Sequence, residues 1–224
     1  MDRKIGDAPL PNASQIEGAV APMLVAPLLP SAYDRLAAYL KLLTHWNKKI
    51  NLTSVRDPDA LVGLHFGECL RATQRIPPEV GTVLDFGSGA GLPGIPIQIV
   101  RPDLRVTLAE SQKKKAAFLR EVIRELGLEH AAVFAGRVED LPPVGTFDLV
   151  TLRAVDKIGE ALQIALPRIR LPQESRQGWC MILTTRSEVL SLVENAPANS
   201  LEWAPPELIP GTKQRVILLG SRLA

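Results

Sequence analysis

The chain contains few of the residues that would define a disulfide-bonded, metal-binding or membrane-spanning protein. Only two of its 224 residues are cysteines, Cys69 and Cys180, and neither belongs to a CxxC pair. The sequence therefore offers no disulfide framework and no cysteine metal site. No run approaches the roughly 20 apolar residues that a membrane span requires. We expect no metal and no membrane partner, and the cysteine usage is compatible with the expected cytoplasmic location.

The chain also has little net charge, only +2 over 224 residues. A balance this close to neutral does not by itself indicate nucleic acid, so any basic surface must come from local clustering. The length suits one domain with extensions and allows a large core, so no second domain is required. The sequence does not specify an oligomeric state, and a monomer is the expectation.

The N-terminal residues 1–30 hold five prolines, two of which interrupt the apolar stretch 18–29. We predict that residues 1–30 form a flexible tail. The alternative is a signal peptide, because two basic residues precede the apolar stretch, but the prolines and the acids around it argue against that interpretation.

Residues 31–224 are predicted to form a single domain, in which helices over 31–78 precede an α/β core over 79–224. A capping box from Ser31 to Asp34 predicts a first helix to about Trp46. Asp57 and Pro58 suit the N-cap and first position of a second helix, which is predicted to end near Thr73.

From Thr82 onward, short apolar stretches alternate with amphipathic helical ones, which is typical of βαβ units and a parallel sheet. Strands are predicted over 82–84, 104–109, 131–135, 147–152 and 179–184. Helices are predicted from Pro93, from Ser111 to a stop at Gly127, and over 156–166. The stretches 201–203 and 215–219 predict an antiparallel hairpin at the sheet edge. The expected fold is a Rossmann-like doubly wound α/β sheet with a reversed final strand.

The stretch from Thr82 to Gly94 runs from a predicted strand through Asp85 into four glycines. Pro93 has a φ suited to the first turn of a helix, so the glycines lie on a strand-to-helix turn. A ligand can touch the backbone of such a turn, because no Cβ is in the way and glycine can take positive φ. The stretch predicts a site for a nucleotide-like cofactor.

Two cofactors compete for this turn. Gly89-x-Gly91-x-x-Gly94 fits the dinucleotide fingerprint, with Glu110 near the spacing of the acid that binds a ribose. A pyrophosphate would lie beside Asp85, however, and like charges about 4 Å apart repel by roughly 1 to 4 kcal/mol. Asp85 suits the ammonium and sulfonium of S-adenosyl-L-methionine, and Glu110 would accept its ribose diol. The methyl donor is favoured; a dinucleotide and a structural glycine turn are the alternatives.

Ligands on doubly wound sheets bind outside the carboxyl ends of the strands, where the strand order reverses. This rule selects the predicted cofactor contacts Asp85, Gly87, Gly89, Leu92, Glu110, Val138, Glu139 and Arg153. Leu92 and Val138 are expected to be apolar contacts beside an adenine. The alternative for Glu139 is a solvated loop acid. The guanidinium of Arg153 ends an apolar strand and needs an acceptor or water there.

Cations cluster in this nearly neutral chain. Lys113, Lys114 and Lys115 fall in the first turn of a predicted helix, where the macrodipole disfavours cations by some tenths of a kcal/mol. Basic residues also predominate over acids in 165–186 and in 210–224, which includes Arg215. Such clustering favours a polyanionic partner, with a solvated face as the alternative.

Two stretches resemble one bacterial family. The octapeptide Asn51 to Pro58, NLTSVRDP, and the stretch Asp85 to Pro96, followed by Arg101 and Pro102, look like methyltransferases of the glucose-inhibited-division-B type, the RsmG family. The resemblance covers about residues 31–220. The octapeptide makes it specific, because it lies outside the glycine loop that all such enzymes share.

Two positions depart from the family pattern. Glu68 and Cys69, close to His65, replace an Asp-Ser pair. Leu183-Thr184-Thr185 stands where relatives often carry Leu-Lys-Gly.

The resemblance implies the Rossmann-like fold of class I S-adenosylmethionine-dependent methyltransferases and N7 methylation of one guanosine in the decoding-region loop of 16S ribosomal RNA, free or in the small subunit. It further implies that the matched cofactor positions are Gly87, Leu92, Val138, Glu139 and Arg153. Arg137 and Lys114 match basic residues near the site, so the predicted RNA contacts are Lys113, Lys114, Lys115, Arg137 and Arg215.

Guanine N7 has a free lone pair and no proton to lose, so positioning can suffice for its methylation. We therefore expect no general base and assign Arg153 a positioning role. The alternatives are a methyltransferase acting on another RNA or a small molecule, an NAD-binding oxidoreductase, and a non-catalytic RNA-binding module.

Overall fold

An eight-stranded mixed sheet forms the centre of the chain, which the computed structural model describes over residues 9–141, 147–155, 157–173, 176–194 and 200–223. The strands are β1 (Thr82–Phe86), β2 (Arg105–Ala109), β3 (Ala131–Phe134), β4 (Leu149–Arg153), β5 (Trp179–Thr185), β6 (Leu201–Trp203), β7 (Glu207–Leu208) and β8 (Arg215–Arg222). Their order is β3-β2-β1-β4-β5-β8-β6, with β7 beside β8. The first five strands pair in parallel and β8 pairs antiparallel to β5. The predicted doubly wound sheet with a reversed C-terminal strand is confirmed.

The helices cover the two faces of this sheet. They are α1 (Ala13–Val20), α2 (Pro30–Asn47), α3 (Pro58–Ala60), α4 (Gly67–Thr73), α5 (Gly94–Val100), α6 (Lys113–Leu126), α7 (Ile158–Ala165) and α8 (Arg186–Glu194), and a π-helical turn over Leu61–Phe66 joins α3 to α4. Neighbouring strand residues enter different cores because side chains alternate along a strand. Val83 packs in the core under α2, α5 and α6, whereas Leu84 packs in the core under α7 and α8.

The prediction of a flexible tail over residues 1–30 is wrong where the chain forms α1 and the turn that follows it. The Asn12 side chain accepts a hydrogen bond from the amide of Gln15, whose own side chain accepts from the amide of Asn12, so the two form a capping box. Ile16 and Val20 are both fully buried against the remaining N-terminal helices. These two apolar residues, one helical turn apart, give the helix a buried face. The basic residues that suggested a signal peptide lie outside the described residues.

The predicted helix caps are partly confirmed. The Asp57 carboxylate accepts from the amide of Ala60 at 3.0 Å, and Gly127 ends α6 in a left-handed conformation with φ 60°. The capping box expected at Ser31 and the helix start expected at Ser111 are wrong, since α2 starts at Pro30 and α6 follows Gln112, each without a side-chain cap. Pro93 precedes α5 instead of starting it.

Candidate functional site

The glycine loop between β1 and α5 has an open half and a packed half. Gly87, Gly89 and Gly91 have left-handed backbones, with φ of 64°, 54° and 87°. A Cβ placed on Gly87 would meet nothing within 4 Å, and one on Gly89 would meet only the Gly87 carbonyl oxygen at 3.7 Å. A Cβ on Gly91 or Gly94 would collide with core side chains. The backbone at Gly87 and Gly89 is therefore the part of the loop that a ligand can approach.

Asp85 lies beneath this loop. It is 1% exposed; its Oδ2 accepts from the amide of Gly94 at 3.2 Å and its Oδ1 from the Thr151 hydroxyl at 2.9 Å. Burial raises the pKa of Asp85 to about 6, although its hydrogen bonds to Thr151, Ser88 and Gly94 oppose that shift. The carboxylate thus fixes the start of α5 from below, and its predicted contact with a cationic ligand stays a prediction.

Glu110 connects the loop to the turn after β2. Its Oε2 accepts from the amide of Gly89 at 2.9 Å, and its Oε1 accepts from the amide of Gln112 at 2.7 Å. Each carboxylate oxygen has a second lone pair, so Glu110 can accept further hydrogen bonds. The acid that the sequence proposed for a ribose therefore also orients the glycine backbone.

A cavity of about 310 Å³ lies at the carboxyl ends of the parallel strands. Its walls are the end of β1 (Phe86, Gly87), the end of β2 (Ala109, Ser111), the segment Gly136, Arg137, Val138 and Glu139 after β3, and Val155, Glu160, Ala161 and Ile164 beside and on α7. The strand order reverses between β1 and β4, so the cavity occupies the place where such sheets bind ligands.

Four residues predicted from the sequence line this cavity, namely Gly87, Arg137, Val138 and Glu139. Glu110 lies between two lining residues, whereas Asp85, Gly89, Leu92 and Arg153 are not part of its walls. Leu92 is 5% exposed and packs in the core. The contributions of Gly136 and of α7 were not predicted, since the sequence gives no signal for which helix face borders a ligand.

The cavity fits a nucleoside. Apolar side chains from Phe86, Val138 and Ile164 suit the faces of a purine, and the partly exposed Glu139 carboxylate suits an amino group. The open glycine backbone forms the adjoining wall. These features fit the adenosine part of S-adenosylmethionine.

The chain turns sharply after β4. Ala154 and Lys157 have φ of 51° and 52°, which is uncommon for residues with side chains. Val155 lines the cavity, whereas the preceding Arg153 reaches the N-terminal helices. The turn therefore places Arg153 and the cavity wall at the same strand end.

Arg153 belongs to a chain of contacts with the N-terminal helices. Its Nε donates to Oε2 of Glu68 at 3.0 Å, and its Nη2 lies 2.7 Å from Nδ1 of His65. Arg215 donates from Nε to the other Glu68 oxygen, Oε1, at 2.9 Å. Because a guanidinium only donates, Nδ1 of His65 must accept, and its Nε2–H then donates to the Thr53 hydroxyl 3.2 Å away.

Burial keeps this histidine neutral. Burial, together with the charges of Arg153 and Arg215, lowers the pKa of His65 to about 4. The cluster of Glu68, Arg153, Arg215 and His65 therefore carries two positive charges and one negative charge. The sequence identified Glu68 only as a departure from the family pattern, close to His65. It gave no sign that the two residues contact Arg153.

The octapeptide places Thr53 at the end of this chain of contacts. Oδ1 of Asn47 accepts from the amides of Leu52 and Thr53, and Arg56 donates to the Asn47 carbonyl oxygen. The Thr53 hydroxyl also accepts from the amide of Val55 at 3.2 Å. The motif that carries the family resemblance is thus a folded turn that supports His65.

The predicted RNA contacts differ in exposure. Lys113 and Lys114 are exposed and Lys115 is half-buried at the start of α6. The Arg137 side chain is 75% exposed, lines the cavity and pairs with Glu139 at 3.4 Å, while that of Arg215 is 34% exposed and paired with Glu68. Lys113 to Lys115 and Arg137 therefore stay candidates for phosphate contact, and Arg215 has a second, internal role.

The departure at Thr184 and Thr185 has a local structural consequence. Both hydroxyls, and the amide of Thr185, donate to Oε2 of Glu188 at the start of α8. These hydrogen bonds lower the pKa of Glu188. Thr184 and Thr185 thus secure the junction between β5 and α8.

Over the described ranges, no three His, Cys, Asp or Glu side chains come together as metal ligands. Within the same part of the chain, none of the helices has the length and apolar character needed to cross a membrane.

Solved structures with this fold include methyltransferases. An S-adenosylmethionine-dependent methyltransferase from Aquifex aeolicus matches with a TM-score of 0.56 at 17% identity, covering 74% of this chain and 94% of that one. TYW2 from M. jannaschii, solved in complex with AdoMet, matches with a TM-score of 0.55 at 17% identity, covering 70% and 74%. At such low identity the likeness shows the fold alone. The fold is that of class I S-adenosylmethionine-dependent methyltransferases.

The chain belongs to the GidB family, rRNA small subunit methyltransferase G, which it matches over residues 32–201. It is 47% identical over 175 residues to Ribosomal RNA small subunit methyltransferase G of Methylobacillus flagellatus, covering 78% of this chain and 83% of that protein. The protein of the same name from Xanthomonas oryzae pv. oryzae is 42% identical over 153 residues, covering 68% and 71%. The resemblance carried by the octapeptide and the glycine loop is confirmed, and with it an S-adenosylmethionine-dependent methyltransferase.

Proposed function

We propose that this protein methylates N7 of one guanosine in the decoding-region loop of 16S ribosomal RNA. The observation that carries the proposal is the nucleoside-sized cavity, which adjoins the open glycine loop and the strand end bearing Arg153, in a member of an rRNA small subunit methyltransferase family. We further propose that the enzyme acts as a monomer in the cytoplasm on the RNA or the small subunit.

Residues around the cavity would hold S-adenosylmethionine, which when bound supplies an electrophilic methyl group. Val138 and Glu139 would contact the adenine, and the free lone pairs of Glu110 would accept from the ribose hydroxyls. The backbone of Gly87 and Gly89 would lie against the ligand. Asp85 and Leu92 are both buried, so they would support the loop from below.

Methylation of guanine N7 requires no general base from the protein. The nitrogen attacks with its lone pair and loses no proton, so orientation is the main requirement, and it can be worth several kcal/mol. Arg153 would provide it, since its guanidinium is fixed at the strand end next to the cavity. Its remaining donors would hold an acceptor oxygen of the target nucleotide.

The RNA backbone would pass over the exposed cations near the cavity. Lys113, Lys114 and Lys115 follow directly on the turn that contains the lining residue Ser111, and Arg137 is itself a lining residue. Contacts of this kind position a nucleic acid without reading its sequence.

Methyl transfer from labelled S-adenosylmethionine tests the proposal. The purified protein is incubated with naked 16S rRNA, whole small subunits or ribosomal proteins, and the labelled nucleoside is identified by mass spectrometry. We expect label in RNA, as 7-methylguanosine at one position of the decoding-region loop. Label in protein, in another nucleoside or at many positions would contradict the proposal. Binding of NAD in place of S-adenosylhomocysteine would favour an oxidoreductase.

A further inference from the structure

We infer that Glu68 is a positioning residue for methyl transfer, a buried carboxylate that orients the guanidinium of Arg153 beside the cavity. The inference rests on the proposed function. It makes the N-terminal helices part of the active site, because Glu68 belongs to α4 and His65 to the π-helical turn before it.

The burial of Glu68 sets it apart from an ordinary surface ion pair. Its side chain is 3% exposed, and that of Arg153 is 9% exposed. One oxygen of Glu68 faces Arg153 and the other faces Arg215, so the carboxylate bridges the end of β4 and the start of β8. A carboxylate held in this way is costly to bury unless both oxygens are satisfied, as they are here.

These contacts fix the orientation of the Arg153 guanidinium plane in addition to balancing its charge. Oε2 of Glu68 engages both Nε and Nη2, His65 also engages Nη2, and Thr53 supports the far side of His65. A guanidinium is a rigid planar fork, so two contacts on different nitrogens determine its orientation. A carboxylate and a neutral imidazole together thus aim Arg153, which directly precedes the turn that lines the cavity.

A second carboxylate in the molecule also bridges two arginines, but it does not lie beside the cavity. Glu207 of β7 pairs with Arg71 and Arg75, and both of these arginines come from α4 or the turn after it. Neither arginine lines the cavity. Glu207 is 22% exposed against 3% for Glu68, so it is a control for the loss of a carboxylate shared by two arginines and not for its burial.

The test compares Glu68→Gln, Glu68→Asp and Glu207→Gln with the wild type on 16S rRNA. For each we measure thermal unfolding, the dissociation constant of S-adenosylhomocysteine, RNA affinity and the single-turnover rate at saturating RNA. We expect Glu68→Gln to lower the rate by about 100-fold, because a misplaced group forfeits orientation. Cofactor binding should stay within about threefold, which separates the rate from uniform binding.

The conservative variant and the control complete the pattern. Glu68→Asp keeps the charge and should recover most of the rate lost in Glu68→Gln, whereas Glu207→Gln should lower stability and leave the rate unchanged. A normal rate in folded Glu68→Gln would overturn the inference, as would equal rate losses in Glu68→Gln and Glu207→Gln.

Two further measurements keep the outcome decisive. If Glu68→Gln does not fold, Arg153→Lys replaces it: lysine keeps a charge opposite Glu68 but cannot span Glu68 and His65, so a wild-type rate in that variant would overturn the inference. The wild type is assayed in parallel for 7-methylguanosine. A wild type that forms no 7-methylguanosine would overturn the proposed function itself. An active wild type with an unaffected rate in Glu68→Gln would overturn only the role of Glu68.

Discussion

The backbone amide of Gly89 donates a hydrogen bond to Oε2 of Glu110 across 2.9 Å. This contact ties the open half of the glycine loop to the end of β2, while the other Glu110 oxygen holds the amide of Gln112 ahead of α6. The two turns that border the cavity are therefore coupled through one carboxylate. A ligand that accepts hydrogen bonds from the loop backbone and donates hydrogen bonds to Glu110 would therefore bind to a preformed site.

Gly89→Val should weaken binding of S-adenosylhomocysteine by about tenfold or more, because a β-branched side chain is strained at positive φ and would project into the open space over the loop. Isothermal titration calorimetry measures the change. Gly127→Val is the control, since Gly127 also has a positive φ and open surroundings but ends α6. Equal binding in the two variants would contradict a ligand site at Gly89.

Ile16→Ala should lower the free energy of unfolding by about 2 to 5 kcal/mol, the range for truncating a buried isoleucine. Ile16 is fully buried and packs among the N-terminal helices, so truncation of its side chain leaves a cavity. Urea denaturation measures the difference, with the exposed Glu17→Ala on the same helix as the control. Removal of residues 1–23 should destabilise the protein further; an unchanged transition midpoint would mean that α1 does not dock.

His65 should make stability depend on pH in the acid range. Burial lowers its pKa to about 4, below the unfolded value near 6.5, so the unfolded chain binds the proton first. The stability contributed by neutral His65 is complete above about pH 6.5 and is lost as the pH falls towards 4. Thermal unfolding between pH 6.5 and 4.5 should therefore decline less in His65→Gln than in the wild type. A steeper decline would contradict the buried neutral histidine.

Asp85 should act with the opposite sign. Burial raises its pKa to about 6, so between about pH 4 and 6 the folded protein keeps a proton that the unfolded chain has released. The contribution of Asp85 to stability falls as the pH rises through that window and is constant above it. Asp85→Asn should remove this fall, so the free energy of unfolding should increase more steeply with pH than in the wild type. If Asp85 had a normal pKa, urea denaturation over the same pH series would give the same slope for Asp85→Asn and the wild type.

Replacing Lys113, Lys114 and Lys115 with glutamine should weaken RNA binding and flatten its dependence on salt, because fewer counterions are released on binding. Affinity for 16S rRNA is measured by filter binding across a salt series. The control variant replaces Lys41, Lys48 and Lys49, which are exposed on and just after α2, and so changes the net charge equally. An unchanged salt slope in the first variant, or the same change in both, would identify the three lysines as a solvated face.

The sequence by itself determined the elements whose signals are local. The apolar runs of β1 to β5 and the stop at Gly127 were predictable because a short apolar run indicates a strand and glycine readily takes the positive φ that ends a helix. The glycine loop was located for the same reason, and so were the cavity residues that directly follow strands, such as Gly87 and Val138. Strand order then brings those residues together without further information.

Only the tertiary structure decided which charged groups meet. Glu68 lies 85 residues from Arg153 and 147 from Arg215 in sequence, and no periodicity links them. Their contact exists because Glu68 of α4 lies between the end of β4 and the start of β8, where burial forces each charge to find a partner. The same packing turned Asp85 into a buried support and docked α1 through Ile16 and Val20. Local patterns fix elements, whereas pairings among distant side chains depend on the shape that those elements make when they pack.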